Sequence, residues 1–138
     1  MTEVVQMPGP TSAFMEASGL VVTEASGSRV AGYVDLDERH HTPFGVVHGG
    51  LYATLVESAG SIGGSAAVAD RGQFAVGLNN STDFLRSSTG TRAIVVAEPI
   101  IQGRTQQLWV VTITDDATGK ELARGQLRLQ NIPLRTGE

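Results

Sequence analysis

The chain contains no cysteine. Disulfides, thiolate-held metals and a cysteine nucleophile are therefore excluded. Charge is also sparse: charged residues make up 17% of the 138 positions, the net charge is −4, and no basic block occurs. Generic nucleic-acid binding is disfavoured on that count, although a local group of arginines can still hold a phosphorylated small molecule. No apolar run reaches the roughly 18 residues of a membrane-spanning helix. Met1–Pro10 is polar, contains Glu3 and lacks an apolar stretch, so neither a signal peptide nor membrane contact is expected. The missing cysteines fit a cytoplasmic protein, which is the expected location.

What the chain does have is apolar content of 41% and 17 glycines. Its length suits one domain that can bury a core without staples. So few charges suit a protein that hides part of its surface in subunit contacts.

Residues 1–18 read as an N-terminal arm, with Pro8, Gly9 and Pro10 followed by room for one helical turn over Thr11–Ala17 capped by Thr11 or Ser12. Residues 19–138 read as a single domain. Two short strands, Gly19–Glu24 and Ser28–Leu36, break at Ala25-Ser26-Gly27. A loop from Asp37 to Val47 precedes one long helix, about Gly49–Ala69, on which Leu51, Leu55, Ala59, Ile62 and Ala66 form an apolar stripe widened by Tyr52 and Val56. Ala53, Glu57, Ser61 and Gly64 fall on the other side. Gly60, Gly63 and Gly64 each cost a helix about 0.5–1 kcal/mol relative to Ala, and the expected return is close approach of another backbone or a ligand. Four strands follow, Phe74–Leu85, Thr91–Ile101, Thr105–Thr114 and Glu121–Asn131, rich in β-branched residues. The breaks at Ser87–Gly90, Gly103-Arg104 and Asp115–Gly119 are short, which favours antiparallel neighbours. Two strands, one helix and four strands predict an α+β domain with the helix on one face of an antiparallel sheet of about six strands.

The run His48-Gly49-Gly50-Leu51-Tyr52-Ala53-Thr54-Leu55-Val56-Glu57 is the most informative. Glycines open the helix where backbone N–H groups lack partners, and a lone carboxylate follows on an otherwise apolar helix. Eight residues of helix rise by about 12 Å, so one substrate atom cannot touch both Gly49 N–H and Glu57 of the same helix. If the two cooperate, a second copy of the chain supplies one of them. Taken singly, the glycines serve equally to make a tight turn into the helix, and Glu57 equally to meet solvent. Ser61 lies one turn after Glu57 on the same face, in position to contact a bound group or to pack as a small residue. His40, His41 and His48 share no metal-ligand spacing, so no metal site is expected and His40 and His41 read as loop surface.

This order of elements, with Thr42-Pro43-Phe44-Gly45-Val46-Val47-His48-Gly49-Gly50 followed by Glu57, resembles the hotdog-fold acyl-CoA thioesterases, of the phenylacetate-pathway kind and the Arthrobacter-type 4-hydroxybenzoyl-CoA kind. The resemblance spans about Gly19–Asn131. It implies a central helix wrapped by a curved sheet, and hydrolysis of an acyl-CoA at a dimer interface, with aromatic or short- to medium-chain acyl groups. Gly49 N–H would polarise the thioester carbonyl, Glu57 of the partner helix would attack it or activate water, and His48 and Ser61 would orient carbonyl and water. Thr42 stands where many relatives have Gln or Asn. Gly50 would join the substrate-binding residues, and Arg86, Arg104 and Thr105 would meet the coenzyme A phosphates or pantetheine arm. Arg128 and Arg135 are further cations with no motif behind them. Phe44, Tyr52 and Phe84 are candidate walls of the acyl pocket. No cofactor is implied beyond the coenzyme A of the substrate, and a homotetramer built as a dimer of dimers is. Two other readings are a hotdog dehydratase or hydratase, whose His/acid arrangement is not found here, and a non-catalytic acyl-CoA-binding protein, which would not need Glu57.

Overall fold

A computed structural model describes residues 12–88 and 91–134. The leader, Thr11 as a cap, the Thr89-Gly90 part of one break, and Arg135 lie outside the described residues. Ser12 caps a short helix α1 (Ala13–Ser18), its hydroxyl accepting from Met15 N–H, and Gly19 ends it at φ 76°. Strands β1 (Leu20–Ala25) and β2 (Val30–Asp35) form a hairpin, and the long helix α2 (Gly49–Val68) follows. Then come β3 (Gln73–Phe84), β4 (Arg92–Gln102), β5 (Gln106–Asp115) and β6 (Glu121–Pro133). All neighbours are antiparallel, in the spatial order β1-β2-β4-β5-β6-β3.

The helix and every strand match the sequence expectation within about two residues. One neighbour relation does not. The short break after β3 predicted that β3 and β4 pair, yet β6 and β5 lie between them. The crossover through α2 delivers β3 to the far edge, where it pairs with β6 from Gln73 opposite Pro133 to Phe84 opposite Ala123. The connection back to β4 crosses about three strand spacings, roughly 14 Å, which seven residues span easily.

Inward residues of β5 and β6, including Trp109, Val111, Ile113, Leu127 and Leu129, meet Leu55, Val56 and Ala59 of α2 in one core. The helix glycines serve this contact. A Cβ on Gly63 would collide with the Trp109 indole, and one on Gly60 would lie 2.7 Å from Leu127 Cδ2. The glycines therefore admit side chains of the sheet, rather than the backbone or ligand expected. Gly64 is buried against the sheet too, not on the outer face with Glu57. Gln107 completes the joint: its Nε2 donates to Gly64 O (2.9 Å) and Asn131 Oδ1 (2.8 Å), and its Oε1 accepts from Trp109 Nε1 (2.8 Å).

Candidate active site

The start of α2 is built by the loop before it. Asp37 opens a 3-10 turn over Glu38–His40, accepting from Arg39 N–H at 2.9 Å, and this N–H bond chiefly holds its carboxyl below the usual carboxylate range. His40 is only 4% exposed, contrary to its reading as loop surface. Its Nδ1 accepts from Asp37 N–H (3.1 Å) and its Nε2 lies 3.1 Å from Ser18 O, so the ring ties α1 to the loop. His41 is exposed. Thr42 N–H donates to Val46 O and Thr42 Oγ1 accepts from Phe44 N–H, closing a turn with Gly45 at φ 79°. Phe44 stands at its tip, 93% exposed.

His48 is the N-cap. Its Nδ1 accepts from Gly50 N–H at 2.8 Å, which leaves Nε2 as the nitrogen that carries a proton. This cap needs a glycine, because a Cβ on Gly50 would lie 2.8 Å from the imidazole Nδ1. A Cβ on Gly49 would likewise meet the Phe84 ring at 2.6 Å. With Gly50 N–H taken by His48 and Leu51 N–H by His48 O, the Gly49 N–H has no acceptor among the described residues. It points out of the positive end of a 20-residue helix.

Two turns on, Glu57 is exposed and lines a cavity of about 860 Å³. Ser61 and Ser65 of α2, Phe14 and Met15 of α1, and Phe74 and Leu134 line it as well. Glu57 is the one ionisable side chain among the lining residues. Asn80 of β3 also lines the cavity, and its Nδ2 donates to Ala53 O at 2.9 Å, pinning the edge strand to the helix.

Of the residues expected from sequence, the cavity joins Glu57 and Ser61. His48, Gly49 and Gly50 stand at the helix start, about 12 Å of helical rise away, and Thr42 lies in the loop turn before it. Tyr52 is 3% exposed, its ring tilted against Phe84 at 6.3 Å between centroids, and its hydroxyl has no partner among the described residues. Burial, then the charge of Asp115, pushes this phenol's pKa up. Phe44, Tyr52 and Phe84 do not line the cavity. Its apolar walls come instead from Phe14, Met15, Ile62, Phe74 and Leu134. The stripe Thr54, Ser58 and Ile62 was readable as a helical face; nothing local in sequence announces that Met15 docks there, through Ser58 Oγ donating to Met15 Sδ (3.1 Å). Arg86, whose Nε donates to Glu121 O, and the Arg104-Thr105 turn sit at opposite ends of β6. One protomer therefore does not bring them together. Exposed Arg128 projects from the middle of β6. Among the described residues no three His, Asp or Glu side chains cluster as metal ligands would, and no helix is long and apolar enough to cross a membrane.

Comparison with known proteins bears on the fold and the family. The family described as Thioesterase superfamily matches residues 44–122. A candidate esterase of Mycobacterium tuberculosis is 42% identical over 127 residues, 91% of this chain and 90% of that one. Its solved structure superposes with a TM-score of 0.85, covering 90% of this chain and 99% of the other. The proofreading thioesterase EntH of Cronobacter sakazakii is 33% identical over 74% of both chains. A thioesterase structure from Haemophilus influenzae is 27% identical with a TM-score of 0.83, covering 93% of this chain and 89% of that one.

Proposed function

Since this chain belongs to the thioesterase superfamily, we propose that it hydrolyses an acyl-CoA to the free acid and coenzyme A at a site shared by two subunits. The observation that carries this reading is the single carboxylate, Glu57, in an apolar cavity beside an edge strand whose far end abuts a helix start with an N–H that has no acceptor among the described residues. Glu57 acts on the thioester carbonyl carbon in one of two ways. It adds directly, expelling the coenzyme A thiolate and leaving an anhydride for water to open, or it takes a proton from a water that adds in its place. In both, negative charge develops on the carbonyl oxygen, and Gly49 N–H with the helix's positive end stabilises it. His48 holds the N-terminal turn in shape, and Ser61, one turn from Glu57, positions the water. Gly50, by admitting the imidazole, keeps Gly49 N–H free, and Thr42 braces the turn that presents it. No cofactor takes part.

The chain's own geometry supports the second subunit. Helix α2 runs antiparallel to β3: Gly49 abuts Phe84, Ala53 bonds to Asn80, and Glu57 lies beside Gly77. The outer edge of β3 has no strand partner among the described residues, is largely exposed between Gly77 and Phe84, and carries Asp83 as its only charge, a template for pairing with another strand. Two copies paired antiparallel about Asn80 bring the Phe84 end of one to the Gly77 region of the other. Gly49 of one protomer then faces Glu57 of its partner. The same pairing carries the Arg86 end of one subunit toward the Arg104-Thr105 end of its partner, so both cationic turns can serve one coenzyme A. Exposed Phe84, which abuts Gly49, and Phe44 at the tip of the preceding turn would flank the thioester from the partner's side, with Tyr52 buried behind Phe84. Exposed Ile100 and Ile101 leave apolar surface for a further contact, as in a dimer of dimers.

The test is thiol release from aromatic and aliphatic acyl-CoAs by wild type and Glu57→Gln, read with a disulfide dye that the cysteine-free protein cannot itself reduce. Turnover is expected to fall by at least about 100-fold in the variant with its oligomeric state unchanged. Undiminished turnover would remove Glu57 from the chemistry.

A further inference from the structure

The turn between β4 and β5 is held from one side by the end of β6. The carbonyls of Gly103, Arg104 and Thr105 all accept hydrogen bonds from Gln130 or Asn131. Asn131 Nδ2 donates to Gly103 O (3.3 Å) and Arg104 O (3.2 Å). Asn131 N–H donates to Thr105 O (2.9 Å), and Gln130 Nε2 donates to the same oxygen (3.0 Å). Gly103 N–H closes the turn on Gln106 O at 2.8 Å, and a Cβ on Gly103 would lie 2.8 Å from that oxygen.

A trans peptide unit is planar, so its N–H points opposite its C=O. With the carbonyls of Gly103 and Arg104 turned toward Asn131, the N–H groups of Arg104 and Thr105 point away from it. Neither has an acceptor among the described residues. Both residues are exposed, and the Arg104 guanidinium forms no salt bridge among the described residues. Two adjacent N–H donors beside a guanidinium make a cradle for an anion.

Asn131 is itself fixed from within. It is 6% exposed, and its Oδ1 accepts from Gln107 Nε2. Gln107 is buried and bonded in turn to Gly64 O of α2 and to the Trp109 indole. A buried polar network whose members are all bonded holds one arrangement. The outermost turn of the hairpin is therefore set by the core that carries α2.

We infer that Asn131 is a positioning residue for coenzyme A. By drawing the carbonyls of Gly103 and Arg104 inward, it presents Arg104 and Thr105 N–H to a phosphate at the nucleotide end of the substrate. This rests on the thioesterase reading above. The experiment takes the acyl group released fastest from coenzyme A and offers it also on pantetheine, which ends before the first phosphate. Wild type, Asn131→Ala and Gly103→Ala are compared on both thioesters. Wild type is expected to have the lower KM for the CoA thioester. In Asn131→Ala that KM rises by about 10-fold, with kcat unchanged and with kcat/KM on the pantetheine thioester unchanged. General damage to the fold would instead lower activity on both substrates alike. Gly103→Ala disturbs the same turn without touching the buried network, is expected to show the same selective rise, and carries the test if Asn131→Ala does not fold. Equal KM of wild type for the two thioesters, no rise in the variants, or an equal loss on both substrates would each overturn the inference and leave the thioesterase reading standing. Release from no acyl-CoA by wild type would overturn both.

Discussion

Tyr52 carries a cost that the rest of the core does not. Its hydroxyl has no partner among the described residues, and burial and Asp115 raise the pKa of the phenol. An unfolded chain ionises its tyrosines near pH 10, before the folded one does. The contribution of Tyr52 to stability is thus complete below about pH 10 and is lost as the pH climbs through the higher folded value. Replacing Tyr52 by Phe keeps the ring and deletes the unpaired hydroxyl. The expected gain is about 1 kcal/mol in unfolding free energy, with a shallower loss of stability in alkali. Urea titrations at neutral and alkaline pH measure both, and a destabilised Phe variant would mean that the hydroxyl does bond something.

The three interior glycines of α2, Gly60, Gly63 and Gly64, show how far local propensity yields to tertiary packing. Gly63→Ala should gain about 1 kcal/mol of helix propensity. The added methyl, however, would strike the Trp109 ring, which is fully buried and held by its bond to Gln107. Overpacking of that kind costs about 1–3 kcal/mol or more, so a net loss is expected, seen as a lower Tm. Gly64→Ala, whose Cβ would meet Ala75 and Leu129 at 3.2 Å, should suffer less. The sequence made α2 legible because Leu51, Leu55, Ala59 and Ile62 keep the helical period through the glycines. It could not say what filled the notches, because Trp109 and Leu127 reach them from strands more than 40 residues away. The same limit hid the place of β3, where chain order suggested β4 as neighbour and the crossover through α2 decided otherwise. It also hid the cavity's outer wall, since α1 is positioned by His40 and Ser58 rather than by any pattern of its own. Glu57 and Gly49 were readable because charge is so rare on this helix and glycine so conspicuous at its start.

At the scale of the whole molecule, the two sheet edges differ. β1 is only six residues long, which discourages pairing, whereas a register shift and one carboxylate occur on both edges, at Val22/Glu24 with Glu24 and at Gly77/Asn79 with Asp83. β3 is twice as long and largely exposed from Gly77 to Phe84. Ser81→Lys would set two like charges close together across an axis at Asn80, and is expected to give a monomer with little or no thioesterase turnover. Sedimentation would detect this, and an intact, active oligomer would move the shared site elsewhere. Separating dissociation from unfolding is usually the difficulty in such an experiment, and here the chain carries its own indicator. Trp109 is the only tryptophan, and it is sealed between α2 and the sheet, away from the β3 edge. Its fluorescence should stay at short wavelength when subunits part and shift to the red only when the helix lifts off the strands, so the colour of one residue's emission reports folding while remaining blind to assembly.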